Sequence, residues 1–185
     1  MATTMEEAEL LVEAEEDNKV KIVAGYSAAL SPVFRAMRRV VLSGKLGDLR
    51  AMHSVAHTDW LIMPRNPDEV DVNIGGGLIY RQGPNQMDTI RGRGGGIRSV
   101  RAFIGQWMPE RSIPGYYTAN FEFESGVVAT ATHNGYGYFT LSEVNGPAAG
   151  RSSIESLVEV RKQMRDGTRD EDADKQDLRI GGVVE

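Results

Sequence analysis

The chain has 185 residues, 41% of them hydrophobic, which is enough for one sizeable core and too few for two full domains. Its net charge of −5 and isoelectric point near 5.3 exclude a general nucleic-acid or membrane-surface role, because both partners require concentrated positive charge. Cysteine is absent, which excludes disulfides, thiolate nucleophiles and thiolate metal sites, and the expected compartment is a reducing cytoplasm. No apolar run approaches membrane-spanning length, and glutamates stand where a signal peptide would need positive charge.

Thr3 or Thr4, followed three residues on by Glu6 or Glu7, is a capping-box pattern, and Ala8, Leu11, Val12 and Ala14 give a short amphipathic helix through about residue 16. Val20 to Gly25 is mostly apolar and predicts a strand inside a parallel sheet. Ser31 as N-cap, Pro32 at the first helical position and Gly44 after the end bracket a second helix, with Val33, Phe34, Met37, Val40 and Val41 as its core face. Arg35, Arg38 and Arg39 on that helix form a solvated basic face or a phosphate contact. Leu49 to Ile62 predicts a long strand with His53, Val55 and His57 on one face; histidines so spaced lie too far apart to chelate one metal easily. Ile97 to Trp107, Tyr116 to Phe123 and Val127 to Thr132 predict an antiparallel meander whose last two strands join at Glu124-Ser125-Gly126. Ser153 to Arg165 predicts an amphipathic helix with Ile154, Leu157, Val158 and Met164 inward, ended by Asp166-Gly167. The charged residues 166–177 follow as a linker or short helix.

The densest chemistry lies in Gly75-Gly76-Gly77-Leu78-Ile79-Tyr80-Arg81-Gln82-Gly83-Pro84-Asn85-Gln86-Met87-Asp88. The glycines let backbone approach a ligand or a neighbour, and at helical spacing Arg81, Asn85 and Asp88 share one face.

This stretch resembles the Gly-Gly motif that opens the substrate domain of the Gfo/Idh/MocA oxidoreductases, two-domain NAD(P)-dependent dehydrogenases. Arg81 stands where most of that family has Asp, and Asn85 where it has a His acting in proton transfer. The form Tyr-Arg-Gln-Gly-Pro is most similar to the phthalate cis-dihydrodiol dehydrogenase branch. The resemblance implies an α+β fold, a mostly antiparallel sheet with helices on one face, like the C-terminal domain of dihydrodipicolinate reductase. It implies a division into a helix and strand left from a nucleotide-binding domain (1–30), the substrate-binding and oligomerisation domain (31–145), and a C-terminal helix with a charged tail (146–185). Leu178 to Gly182 resembles the place where family members begin their last strands.

For function the resemblance implies NAD or NADP as cofactor, a small hydroxylated or carboxylated ring compound as substrate, and a homo-oligomer joined through the open sheet face. Asn85 and Asp88 are then candidate catalytic positions. An amide orients a hydroxyl but cannot carry a proton at neutral pH, so His133 becomes the remaining general-base candidate, against a structural histidine. Tyr80, Arg81, Gln82, Gln86 and Tyr136 are candidate substrate contacts, and Gly76 and Gly77 candidate cofactor contacts. Arg65 can bind a substrate carboxylate in bidentate fashion or pair with Asp68 or Glu69. Neither a G-x-G-x-x-G phosphate loop nor the family's Glu-Lys-Pro lysine is present, so no cofactor binding or turnover is expected of the chain alone. The alternative is a non-catalytic binding or assembly module derived from the same fold.

Overall fold

The computed structural model describes residues 2–137 and 154–180, the last with side chains at 157–176. Its helices are α1 (Met5–Asn18), α2 (Ser27–Leu30), α3 (Pro32–Leu42), α4 (Leu78–Gly94), α5 (Ile154–Asp166) and α6 (Glu171–Ile180). Its strands are β1 (Ala51–His57), β2 (Ile97–Gly105), β3 (Tyr116–Phe123) and β4 (Val128–Asn134). They form one sheet in the order β1-β4-β3-β2. The meander β2-β3-β4 is antiparallel, as the Glu124-Ser125-Gly126 turn predicts, and β4 returns beside β1 in parallel, so the sheet is mixed. The fold is the expected α+β class, with α4 laid across one face.

Alternation fixes which residues meet α4. On β3, Tyr117, Ala119, Phe121 and Phe123 are buried, and on β4 Ala129, Ala131 and His133; with Leu61, Leu78, Ile90 and Ile113 they make the core. The opposite face carries Thr118, Asn120, Glu122, Thr130 and Thr132, with a Thr118–Thr132 hydroxyl pair at 3.0 Å and His53 Nδ1 2.8 Å from Thr130 Oγ1. This face is mostly polar. The exposed apolar side chains of the sheet concentrate instead on β2, where Val100, Phe103 and Ile104 are 55%, 74% and 60% exposed.

Several expectations change. Val20 to Gly25 forms no strand, because no described strand runs beside it to take its backbone hydrogen bonds. The long strand expected to Ile62 stops at His57: Leu61 N donates to Gly135 O while Ile62 N donates back to Asp59 O, which turns the chain. Helix α3 has its predicted Ser31 cap, but Val33, Met37 and Val40 are exposed; it meets α4 at that helix's second half, through Phe34 and Arg93. In α5 Leu157 is buried and Val158 exposed. Leu178 to Ile180 continue α6 as helix, so they begin no strand; Gly181 and Gly182 lie outside the described residues. No described helix is long and apolar enough to cross a membrane.

Candidate functional site

Helix α4 carries most of the predicted site, and its start is set by the glycines before it. Gly76 N donates to Asp71 O at 2.7 Å and Gly77 N to Glu69 O at 2.7 Å. A Cβ on Gly76 would lie 2.5 Å from both the N and the O of Asp71, so glycine is required there by the chain's own backbone. Both N–H groups are therefore used internally and the triplet is buried, so it offers no donor for a cofactor phosphate. Pro84 sits inside α4, yet the helix runs on to Gly94.

Three faces of α4 do different work. The face on the sheet holds Gln86, whose Nε2 donates to Ser54 Oγ (2.8 Å), Ser54 O (3.0 Å) and Thr132 O (3.3 Å) while Oε1 accepts from the Tyr117 hydroxyl at 2.5 Å. Every polar position of this amide is engaged in the core, which leaves nothing for a substrate. Burial raises the Tyr117 hydroxyl to about 12, so it serves as a donor. Helical spacing puts Arg81 and Asn85 on the face away from the sheet, with Asp88 at its border with the groove described next. Arg81 Nη2 donates to Asp68 Oδ2 at 3.1 Å and to Asp68 O at 3.2 Å, whereas its Nε is buried without a partner among the described residues. Asn85 and Gln82 are half-buried. On the third side Tyr80, Pro84, Met87, Asp88 and Arg91 face Val100, Ile104 and Phe121 across an apolar groove of about 570 Å³.

The remaining candidates do not join this constellation. His133 is buried at 4% exposure, with Nε2 3.2 Å from Thr58 Oγ1 and Nδ1 unpartnered among the described residues. Burial, reinforced by the charge of His57, pushes it down to about 4, so the ring is neutral at pH 7 and a weak base. Tyr136 is a tie between strand ends: its hydroxyl accepts from Trp107 N at 2.7 Å and donates to Gly105 O at 3.1 Å, and its ring stacks on Trp107 at 5.5 Å. Tyr138 and Phe139 lie outside the described residues.

Arg65 belongs to a cationic clamp that the sequence did not announce. Three arginines bind three successive carbonyls: Arg65 Nε on Trp60 O (2.9 Å), Arg111 Nε on Leu61 O (3.0 Å) and Arg169 Nη1 on Ile62 O. Arg65 also lies over the Trp60 ring at 4.2 Å and pairs with Glu69 at 3.3 Å, the ion-pair alternative. Glu171 bridges Arg111 Nη2 (2.6 Å) and Arg65 N (3.3 Å), and Lys175 reaches Glu69 (2.8 Å) and Pro64 O (3.2 Å), which docks α6 on residues 60–69. Burial alone would raise the Glu69 carboxyl; hydrogen bonds from Lys175 and Asn66 N and the charges of Arg65 and Lys175 outweigh it and hold it at about 2. A buried carbonyl row needs donors, but which arginines supply them depends on packing between segments far apart in the chain. Among the described residues no cluster of His, Asp and Glu could hold a metal ion.

Residues 34–141 match the GFO/IDH/MocA C-terminal domain, and the chain belongs to that family of oxidoreductases. It is 34% identical over 127 residues to the 1-carboxy-3-chloro-3,4-dihydroxycyclohexa-1,5-diene dehydrogenase of Comamonas testosteroni, an alignment covering 68% of this chain and 32% of that one. A crystal structure of a candidate dehydrogenase from Bordetella bronchiseptica RB50 superposes with a TM-score of 0.79 at 33% identity, covering 86% of this chain and 44% of that one. Levoglucosan dehydrogenase in complex with NADH shares the fold, at TM-score 0.65 and 16% identity. The chain thus spans about a third of the length of the Comamonas relative and under half of the Bordetella structure.

Proposed function

We propose that this chain is the substrate-side part of an NAD(P)-dependent dehydrogenase acting on a carboxylated, hydroxylated ring, and that Arg81 receives the ring's carboxylate. The observation that carries this reading is the Arg81 guanidinium, on the same face of α4 as Asn85 by helical spacing, whose Nε is buried without a partner among the described residues. A carboxylate there would take the orphaned N–H and share the positive charge already drawn on by Asp68. Arg65 is the weaker candidate, because its Nε, one terminal nitrogen and its ring-facing surface are all engaged. The Comamonas relative's name, which specifies a carboxy group and two hydroxyls on a six-membered ring, supports the substrate class.

Nicotinamide, when bound in such enzymes, accepts a hydride from the carbinol carbon, and a base takes the hydroxyl proton. The residues described here do not fit the cofactor's phosphates, since the N–H groups of Gly76 and Gly77 are taken by Asp71 O and Glu69 O. Asn85 orients a hydroxyl, Asp88 is the carboxylate nearest to it in sequence on the same face, and His133 is walled in. The chain alone therefore holds a ring acid without turning it over. A second reading, a binding or assembly module, is favoured by Asn85, whose amide can orient a hydroxyl but cannot carry its proton.

The test is calorimetric titration with phthalate, alongside NADH followed by energy transfer from Trp60 and Trp107. Weak phthalate binding that falls at least tenfold in Arg81→Leu, with no NADH saturation, is expected. Phthalate affinity unchanged in Arg81→Leu refutes the assignment, and saturable NADH binding refutes the reading of the glycine triplet.

A further inference from the structure

The groove beside α4 has a built shape that the dehydrogenase reading leaves unused. Its floor is set by the register of two strands: Val100 pairs with Phe121, Ala102 with Ala119 and Ile104 with Tyr117. A pair of alanines thus lies between two pairs with large side chains, and the floor dips where the alanines meet. On the helix side Gly83 adds no side chain, and a Cβ there would still lie 3.9 Å from the Tyr117 hydroxyl. Small residues from β2, β3 and α4 therefore open one slot, and its volume of about 570 Å³ is that of a small-molecule site.

We propose that this slot binds a flat aromatic acid carrying a hydroxyl beside its carboxylate, at a site separate from Arg81. The walls select the ring. Buried Tyr117 and Phe121 in the floor and the more exposed Tyr26 and Tyr80 at the rim offer four aromatic surfaces, which favour a planar aromatic body over an aliphatic chain. The polar rim selects the substituents. Asp88 and Arg91 line the groove about one helical turn apart, and neither side chain has a hydrogen-bond or ion-pair partner among the described residues.

Charge decides between an acid and an amine. Next to Arg91, Arg38 Nε donates to Gly92 O at 3.2 Å, so two guanidiniums stand at this end of α4 against the one carboxylate of Asp88. The C-terminal end of the helix adds about half a negative charge, and the balance stays positive. An anionic head therefore goes to Arg91, while a hydroxyl on the neighbouring ring carbon donates to Asp88. A second carboxylate would meet Asp88 and be repelled, so the slot prefers a mono-acid to a diacid such as phthalate. The proposal goes beyond the dehydrogenase reading and does not depend on it, since Arg81 does not line the groove.

The probe is 3-hydroxy-2-naphthoate, followed by its own fluorescence on titration with the purified chain, and saturable binding at about 0.1–1 mM is expected. Ala102→Leu fills the floor of the slot from a solvent-exposed position, and should weaken binding at least tenfold while leaving the circular dichroism unchanged. Arg91→Gln, also at an exposed position, should weaken binding of the acid at least fivefold and leave the weaker binding of the neutral 3-hydroxy-2-naphthamide unaffected. Arg81→Leu should change neither, so a failure of the Arg81 assignment shows only in the phthalate titration. The proposal is overturned by naphthoate that does not saturate up to about 5 mM. It is equally overturned by an equal effect of Arg91→Gln on acid and amide, or by binding that survives Ala102→Leu and is lost in Arg81→Leu.

Discussion

The buried amide of Gln86 gives the sharpest test of how α4 is seated. Its Oε1 is the partner of the Tyr117 hydroxyl and its Nε2 of the Ser54 hydroxyl, beneath a helix at residues only 8% and 4% exposed. Gln86→Leu keeps the volume and removes both partners. Tyr117 is then left with a buried hydroxyl that burial alone has already pushed to about 12, and Ser54 loses its donor. Each orphaned buried group costs about 1–3 kcal/mol, so Gln86→Leu should lose about 2–4 kcal/mol. For a chain of this length that is about 5–15 °C in Tm. Tyr117→Phe removes the hydroxyl that would be stranded, so the double variant should be less unstable than the sum of the singles by about 1 kcal/mol or more. Urea and thermal denaturation of the four proteins close the cycle. Additivity within about 0.3 kcal/mol would refute the argument, because it would mean that the two side chains do not depend on each other.

Other outcomes follow from single sites. His133 has a depressed pKa, so the fold holds the neutral ring; its contribution is full above pH 6.5 and is lost as pH falls from 6.5 to about 4, a difference of about 3 kcal/mol. His133→Leu should flatten that part of the stability-against-pH curve in urea titrations. Gly76→Ala should lower Tm by several degrees through its clash with the Asp71 backbone, whereas Gly92→Ala, in open space within α4, should raise stability by about 0.5–1 kcal/mol. Glu171→Gln should speed tryptic cleavage in residues 154–180 severalfold by loosening α6 from Arg111 and Arg65, which gel electrophoresis of timed digests would show.

What the sequence made legible is what local chemistry decides. Ser31 and Pro32 open α3, Gly126 turns the hairpin, and the extents of β3 and β4 follow the residues read as strands, because caps, turns and pleat act over a few positions. What it left undecided depends on partners. Gln82 and Gln86 are alike in sequence, and only the phase of α4 on the sheet buries one and leaves the other half-buried. The apolar run at Val20 to Gly25 has the composition of a strand without a neighbour to pair with. Arg65 could serve a substrate or a glutamate, and the choice is made by Glu69 and by the Trp60 carbonyl standing within reach. The outward stripe of Arg81, Asn85 and Asp88 follows helical spacing as read, yet Asp68 as the partner of Arg81 lies thirteen positions away on a loop whose course the spacing cannot give.

The carbonyls of Trp60, Leu61 and Ile62 are held by guanidiniums from positions 65, 111 and 169, the last from beyond α5. A contact that closes a loop of more than a hundred residues forms late, after the entropy of bringing its ends together has been overcome by other contacts. Arg169 and Glu171 add the last ties to a segment that Leu61 and the Gly135 carbonyl already anchor, so loss of Arg169 should loosen residues 62–65 more than the core beneath Trp60.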